Sequence, residues 1–128
     1  VILVDTDVLI AHLRGVVPAR DWLRHMRTNG PLLVSAVTVT ELTGGMLSAE
    51  RREVWGLLSA LRVEPVTEVI ARVAGELMRR YRRSHSGIGL GDYLVAATAG
   101  VRGVPLATLN VRHFPMFDGL AAPFELPR

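Results

Sequence analysis

The chain has 128 residues, 49% of them apolar, a formal net charge of +3 and no cysteine. Its size and evenly spread apolar residues suit one compact domain spanning 1–128, and they exclude both a disordered chain and a second core. The missing cysteines exclude disulfide scaffolds, thiolate metal sites and cysteine nucleophiles, and the complete absence of lysine excludes Schiff-base and Walker-type lysine chemistry; all 15 basic residues are arginine, whose planar fork suits phosphate.

In chain order, Val1 to Asp5 is a short apolar run ending in a carboxylate, the pattern of a buried parallel strand. Asp5 and Asp7 interrupt the apolar start, which therefore reads as core and not as a leader or membrane segment. A short helix is expected over Asp7 to Leu13, ended by Gly15, and a second opens at Pro18, carrying Trp22, Leu23 and Met26. Asn29-Gly30-Pro31 predicts a turn into a strand at Leu32 to Val34. Ser35 or Thr38 can cap the next helix, with Glu41 at capping-box spacing from Thr38. A helix over Ala49 to Leu61 and a strand over Arg62 to Val66 follow. Val66, Ile70, Val73, Leu77 and Tyr81 recur at helical spacing through Thr67 to Arg83, with Glu68/Arg72 and Glu76/Arg80 pairs on the solvated side. Beyond the glycine-rich loop from Ser84 to Gly91, Asp92 opens a helix reaching Val101. Leu106 to Leu109 is a further strand, and Phe124 to Leu126 can add an edge strand. Strands alternating with helices of this length predict an α/β sandwich with a mainly parallel sheet.

Open parallel sheets hold their ligand sites beyond the carboxyl ends of the strands. Asp5 stands at such an end with Asp7 two residues on, Asp92 starts a helix after a glycine-rich loop, and Glu41 lies early in another helix. If these elements cross one sheet edge, their carboxylates converge, and crowded like charges call for a cation. Oxygen donors of this kind suit Mg²⁺ or Mn²⁺. Local alternatives stand beside that reading: Asp7 as a helix N-cap, Glu41 completing a capping box, Asp92 favoured by a helix N-terminus. Asp5 is harder to explain locally, because a carboxylate ending an apolar run is buried and needs a partner.

Four segments in this order, VDTDVLIAHL (4–13), SAVTVTEL (35–42), RRYRRSHSGIGLGDYLVAATA (79–99) and PLATLNVRHFPMF (105–117), resemble the PIN-domain family, and within it the small VapC-type toxins of prokaryotic toxin–antitoxin pairs. The resemblance spans nearly the whole chain. It implies a three-layer α/β/α sandwich with an acidic pocket that binds Mg²⁺, or Mn²⁺, and hydrolyses RNA phosphodiesters by metal-activated water, leaving 5′-phosphate and 3′-hydroxyl ends. The family's catalytic and metal-binding acids fall on Asp5, Glu41 and Asp92. A further family acid aligns with Asn110, a neutral and weaker ligand, which bears on whether a second ion about 3.5 to 4 Å away is held. Asp7 and Asp118 are possible substitutes.

Thr108 matches the family's hydroxyl residue near the pocket, its alternative being an ordinary strand threonine; Thr6 has a similar supporting place. His113 is a candidate proton donor to the leaving group. Arg79, Arg80, Arg82, Arg83 and Arg112 are candidate RNA-backbone contacts, against the alternative of a solvated helix end, and His85 and Ser86 lie in the loop approaching Asp92. The resemblance further implies a cognate antitoxin, a homodimer, a cytoplasmic location and no membrane. Trp22, Met26 and Trp55 are candidate interface anchors, with core packing as the competing role. Two other readings compete with the nuclease: a degenerate PIN domain that binds RNA or protein without catalysis, and a haloacid-dehalogenase-like phosphohydrolase using the DTD segment.

Overall fold

The computed structural model describes residues 1–127. Four strands, β1 (Ile2–Val4), β2 (Leu32–Ser35), β3 (Arg62–Glu64) and β4 (Leu106–Ala107), form a parallel sheet in the order β3-β2-β1-β4. Between them run the helices α1 (Thr6–Leu13), α2 (Val17–Arg27), α3 (Ala36–Gly45), α4 (Arg51–Ser59), α5 (Glu68–Tyr81) and α6 (Leu90–Arg102), with short 3-10 turns at Ser48–Glu50 and Val111–His113. The chain builds outward from β1 to β3, then crosses back through α5 and α6 to place β4 on the other side of β1. That reversal makes the gap between β1 and β4 the topological switch point of the sheet, where an open α/β fold leaves a crevice.

The central strands β1 and β2, with β4, are apolar on both faces because both are covered, whereas the edge strand β3 exposes Arg62 and Val63. Side chains alternate along a strand, so Val4, Leu32 and Val34 join Val8 and Leu9 of α1, Leu23 of α2 and Val54 and Leu58 of α4 in one core layer. Leu3, Leu33 and Leu106 face the opposite way, against Val95, Ala96 and Ala99 of α6 and the ring of Phe114. Ile70 and Ala74 of α5 pack on Tyr93 and Ala97 of α6 outside that layer. Gly103 ends α6 in the left-handed conformation at φ +66°, returning its N–H to the last turn, and Pro105 then prevents the helix from continuing. No helix among the described residues is long and apolar enough to cross a membrane.

Several expected boundaries shift, each for a local reason. α1 starts at Thr6 with Asp5, not Asp7, as its N-cap. α3 starts at Ala36 with Ser35 as its cap, so Thr38 is already inside the helix and the Thr38/Glu41 capping box does not form. α6 starts at Leu90, two residues before Asp92. Phe124 to Leu126 adds no strand; Phe124 instead packs its ring 6.4 Å from that of Trp22. The Glu68–Arg72 pair closes at 2.9 Å, whereas Glu76 and Arg80 make no ion pair among the described residues, and Val66 lies exposed before α5 instead of on its buried stripe.

Candidate active site at the β1–β4 crevice

The ladder between β1 and β4 runs one step past the strands, with the Asp5 N–H donating to the Ala107 carbonyl at 2.9 Å. This pins Asp5 at the mouth of the switch point with only 6% of its surface exposed. Its carboxylate has two fixed partners. Oδ1 accepts from the Thr6 N–H at 2.8 Å, the capping bond of α1, and Oδ2 accepts from the Thr108 hydroxyl at 2.8 Å. Thr108, fully buried just beyond β4, accepts in turn from the Asn110 N–H at 3.1 Å.

Asp7 turns from the first turn of α1 toward the same segment. Its Oδ2 accepts from the Leu109 N–H at 3.0 Å and lies 3.3 Å from the Thr108 hydroxyl. A hydroxyl has one proton, and the shorter contact assigns it to Asp5. Oδ1 of Asp7 is buried with no hydrogen-bond partner among the described residues.

Glu41 reaches the site through Thr6. The Thr6 hydroxyl donates to Glu41 Oε1 at 2.6 Å and lies 3.0 Å from the buried Thr38 hydroxyl, so Thr38 supplies the proton that Thr6 accepts when Thr6 donates onward. Asp92 enters from α6: its Oδ2 accepts from the Gly89 N–H at 2.9 Å, the third residue of a helix reaching back to its first turn, and stands 3.2 Å from His113 Nδ1. Gly91 lets these two helices meet. A Cβ there would stand 3.4 Å from Val37 and 3.5 Å from the Glu41 carboxylate, both of α3.

The electrostatics follow from the crowding. Burial first, then the neighbouring Asp7 carboxylate and more weakly Asp92, raise Asp5 from the ordinary 3.8 to about 7, against the opposing bonds from Thr108 and Thr6. Burial also raises Asp7, opposed mainly by the Leu109 N–H and the Thr108 hydroxyl. Carboxylates that resist ionisation together are relieved by a cation. Every donor is oxygen, which fits a hard divalent ion. Among the described residues no three acidic or imidazole side chains already enclose a common point.

A PIN domain model matches residues 2–119. The chain belongs to the PIN-domain family. It is similar to Ribonuclease VapC10 of Mycobacterium tuberculosis, at 68% identity over 126 residues covering 98% of this chain and 95% of that protein. It is also similar to Ribonuclease VapC19 of the same species, at 44% identity over 95% of this chain and 98% of the relative. Among solved structures, DNA-bound VapBC from Salmonella typhimurium superposes with a TM-score of 0.78 at 26% identity, over 94% of this chain and 95% of the other. Membership of this family removes the dehalogenase-like alternative.

Within this PIN domain the predicted site residues separate into two groups. Asp5, Asp7, Thr6, Glu41, Asp92, Thr108 and His113 are linked by the contacts above. Asn110 contributes its backbone N–H while its side chain is exposed, and Asp118 is exposed on a later turn. Arg79, Arg80, Arg82 and Arg83 are all exposed at the end of α5, and Arg112 is exposed on the turn that carries His113; none pairs with an acid of the site among the described residues. His85 bonds to Ser84 and meets the edge of Tyr81, and Ser86 is exposed beside it. Trp22 and Met26 are half-buried against the first core layer, whereas Trp55 is 47% exposed. Arg14, the C-cap of α1, lines two clefts, one of them lined also by Asp7 and the other by Glu41.

Proposed function

We propose that this PIN domain is a divalent-metal-dependent endoribonuclease, the toxin of a type II toxin–antitoxin pair, acting in the cytoplasm and leaving 5′-phosphate and 3′-hydroxyl ends. The observation that carries the reading is the gathering of Asp5, Glu41 and Asp92, from three separate elements, beside the β1–β4 crevice. The 68%-identical ribonuclease supports the substrate class, and the toxin–antitoxin complexes among the structural relatives support the biological role.

Asp5, Glu41 and Asp92 would hold Mg²⁺ or Mn²⁺. When bound, such an ion supplies Lewis acidity toward phosphate oxygen and lowers the pKa of water. The chain's own groups prepare that site. Thr108 and the Thr6 N–H lock both oxygens of Asp5, so its ionised form needs no reorganisation. Thr6 holds the otherwise exposed Glu41 side chain in one orientation. Asp92 fixes the His113 ring through Nδ1, leaving Nε2 as the atom from which a proton could pass to the leaving oxygen. The exposed arginines of α5 and Arg112 would position the RNA backbone without choosing its sequence. A cognate antitoxin and a second copy of the chain complete the proposed assembly, with Trp55 as an anchor at one of these surfaces.

The test is incubation of the purified chain with cellular RNA and Mg²⁺ or Mn²⁺, followed by mapping of new 5′ ends. Discrete 5′-phosphate ends are expected, and they should vanish with EDTA and in Asp5→Asn. Cleavage that persists in Asp5→Asn would sink the assignment of the site. A folded, metal-loaded chain that binds RNA without cutting it would instead support the noncatalytic PIN reading.

A further inference from the structure

Two clefts flank the acidic cluster, and the same two residues divide them. The larger, of about 340 Å³, is walled by Ile10, Val16 and Leu109 and bounded by Asp7, Arg14 and Asn110. The smaller, of about 150 Å³, is walled by Ile10, Leu42 and Met46 and bounded by Arg14, Glu41 and Glu50. Ile10 and Arg14, one turn apart on α1, line both. Each cleft therefore ends at a different acid of the cluster, and an exposed arginine stands on the ridge between them.

We propose that this ridge is a substrate subsite: the larger cleft takes the base of one unpaired nucleotide beside the bond to be cut, and Arg14 takes a phosphate oxygen of the same strand. The inference rests on the ribonuclease reading and adds the residues that grip and select the strand. Charge argues for it. A polyanion approaching four carboxylates is repelled unless a cation lies on its path, and the guanidinium fork pairs with phosphate in two parallel hydrogen bonds. Shape argues for it as well. The larger cleft is of small-ligand size, too small for a duplex, and its aliphatic walls match the apolar faces of a splayed-out base. Its polar boundary carries a means of reading a base edge in the exposed Asn110 amide, with both donors and an acceptor. Continuity with the cluster sets the register, because Asp7 belongs to the cleft wall and, through the Thr108–Leu109 segment, to the surroundings of Asp5.

The test uses the full chain and two variants, Arg14→Gln and Val16→Phe, the second filling the larger cleft from a half-buried loop position. Binding of a mixed-sequence single-stranded RNA oligonucleotide is measured in EDTA, cut sites are mapped with Mn²⁺, and Mn²⁺ binding and the thermal midpoint serve as controls. Arg14→Gln is expected to raise the RNA Kd roughly tenfold or more, the worth of one charge-assisted hydrogen-bonded pair. Val16→Phe is expected to change the distribution of cut sites, and both variants should keep the parent's Mn²⁺ affinity and midpoint. RNA affinity and cut-site distribution within about twofold of the parent in both variants, less than the worth of such a pair, would overturn the subsite. Unchanged RNA behaviour with weakened antitoxin binding would also overturn it, assigning the clefts to the protein partner. A parent chain that neither binds nor cuts RNA would overturn the ribonuclease reading itself, a different result from failure of the subsite alone.

Discussion

Asp5 does two jobs that a single residue seldom combines: it caps α1 and it is the most deeply buried acid of the site. Its state should therefore be visible in stability as well as in activity. Because its folded pKa, about 7, lies above the ordinary 3.8, the metal-free fold binds a proton there that the unfolded chain has already released. The stabilisation is fully present below about pH 4 and is lost as pH rises through about 7. Urea unfolding in EDTA is expected to show a midpoint that falls between about pH 4 and 7 and that Asp5→Asn flattens. Under the proposed metal site, Mn²⁺ is expected to reverse the fall by favouring the ionised carboxylate. Thr108→Val tests the support of the same group without removing it: the fold stays, while Mn²⁺ affinity by calorimetry or RNA turnover drops by about 10- to 100-fold, as when outer-sphere partners of metal ligands are removed. Asp5, Asp92 and Glu41 stood out in the sequence by type and position. What joins them, Thr6 and Thr108, was named through the family resemblance and not through any local pattern. Thr6 and Glu41 are 35 positions apart, and Thr108 and Asp5 are 103 apart, so no local pattern reports either bond.

Helices and strands were legible where apolar spacing was strong, as in α5, and their starts were misplaced where two polar residues competed to cap. The run DTD offered Asp5 and Asp7, and SAVT offered Ser35 and Thr38. In both cases the earlier residue caps because the strand before it ends there, a tertiary fact. The turn after β4 shows the converse dependence of an element on packing. Val111–His113 is a single 3-10 turn with little stability of its own, held by the fully buried ring of Phe114 against Leu3, Leu33 and α6. Phe114→Ala is expected to cost about 3–5 kcal/mol in urea unfolding, the usual range for a buried aromatic ring. His113 should then lose its fixed place at Asp92, so RNA turnover of the folded fraction falls as well; unchanged turnover would remove His113 from the mechanism.

At the scale of the molecule, alternating strands and helices implied a parallel α/β sheet, but not the order of its strands. The placement of β4 beside β1 depends on how α5 and α6 cross the sheet, which spacing alone does not encode; the family resemblance supplied the fold that periodicity left open. The net charge of +3 is likewise a poor guide, because it averages an acidic crevice with exposed arginines. Salt dependence separates the two. Replacing Arg79, Arg80, Arg82 and Arg83 with glutamine should flatten the dependence of RNA binding on salt, by about 0.7 in the log–log slope for each phosphate that is no longer neutralised. An unchanged slope would leave the cluster as a solvated helix end. The pairing of Leu3 with Leu106 has a consequence in time as well as in space. During synthesis the amino-terminal residues emerge first, yet Asp5 waits for Thr108, and Asp92 for His113, the last residues of the site to be made. A chain truncated before Leu106 would carry the acids but not the segment that orients them, and is expected to lack RNA turnover.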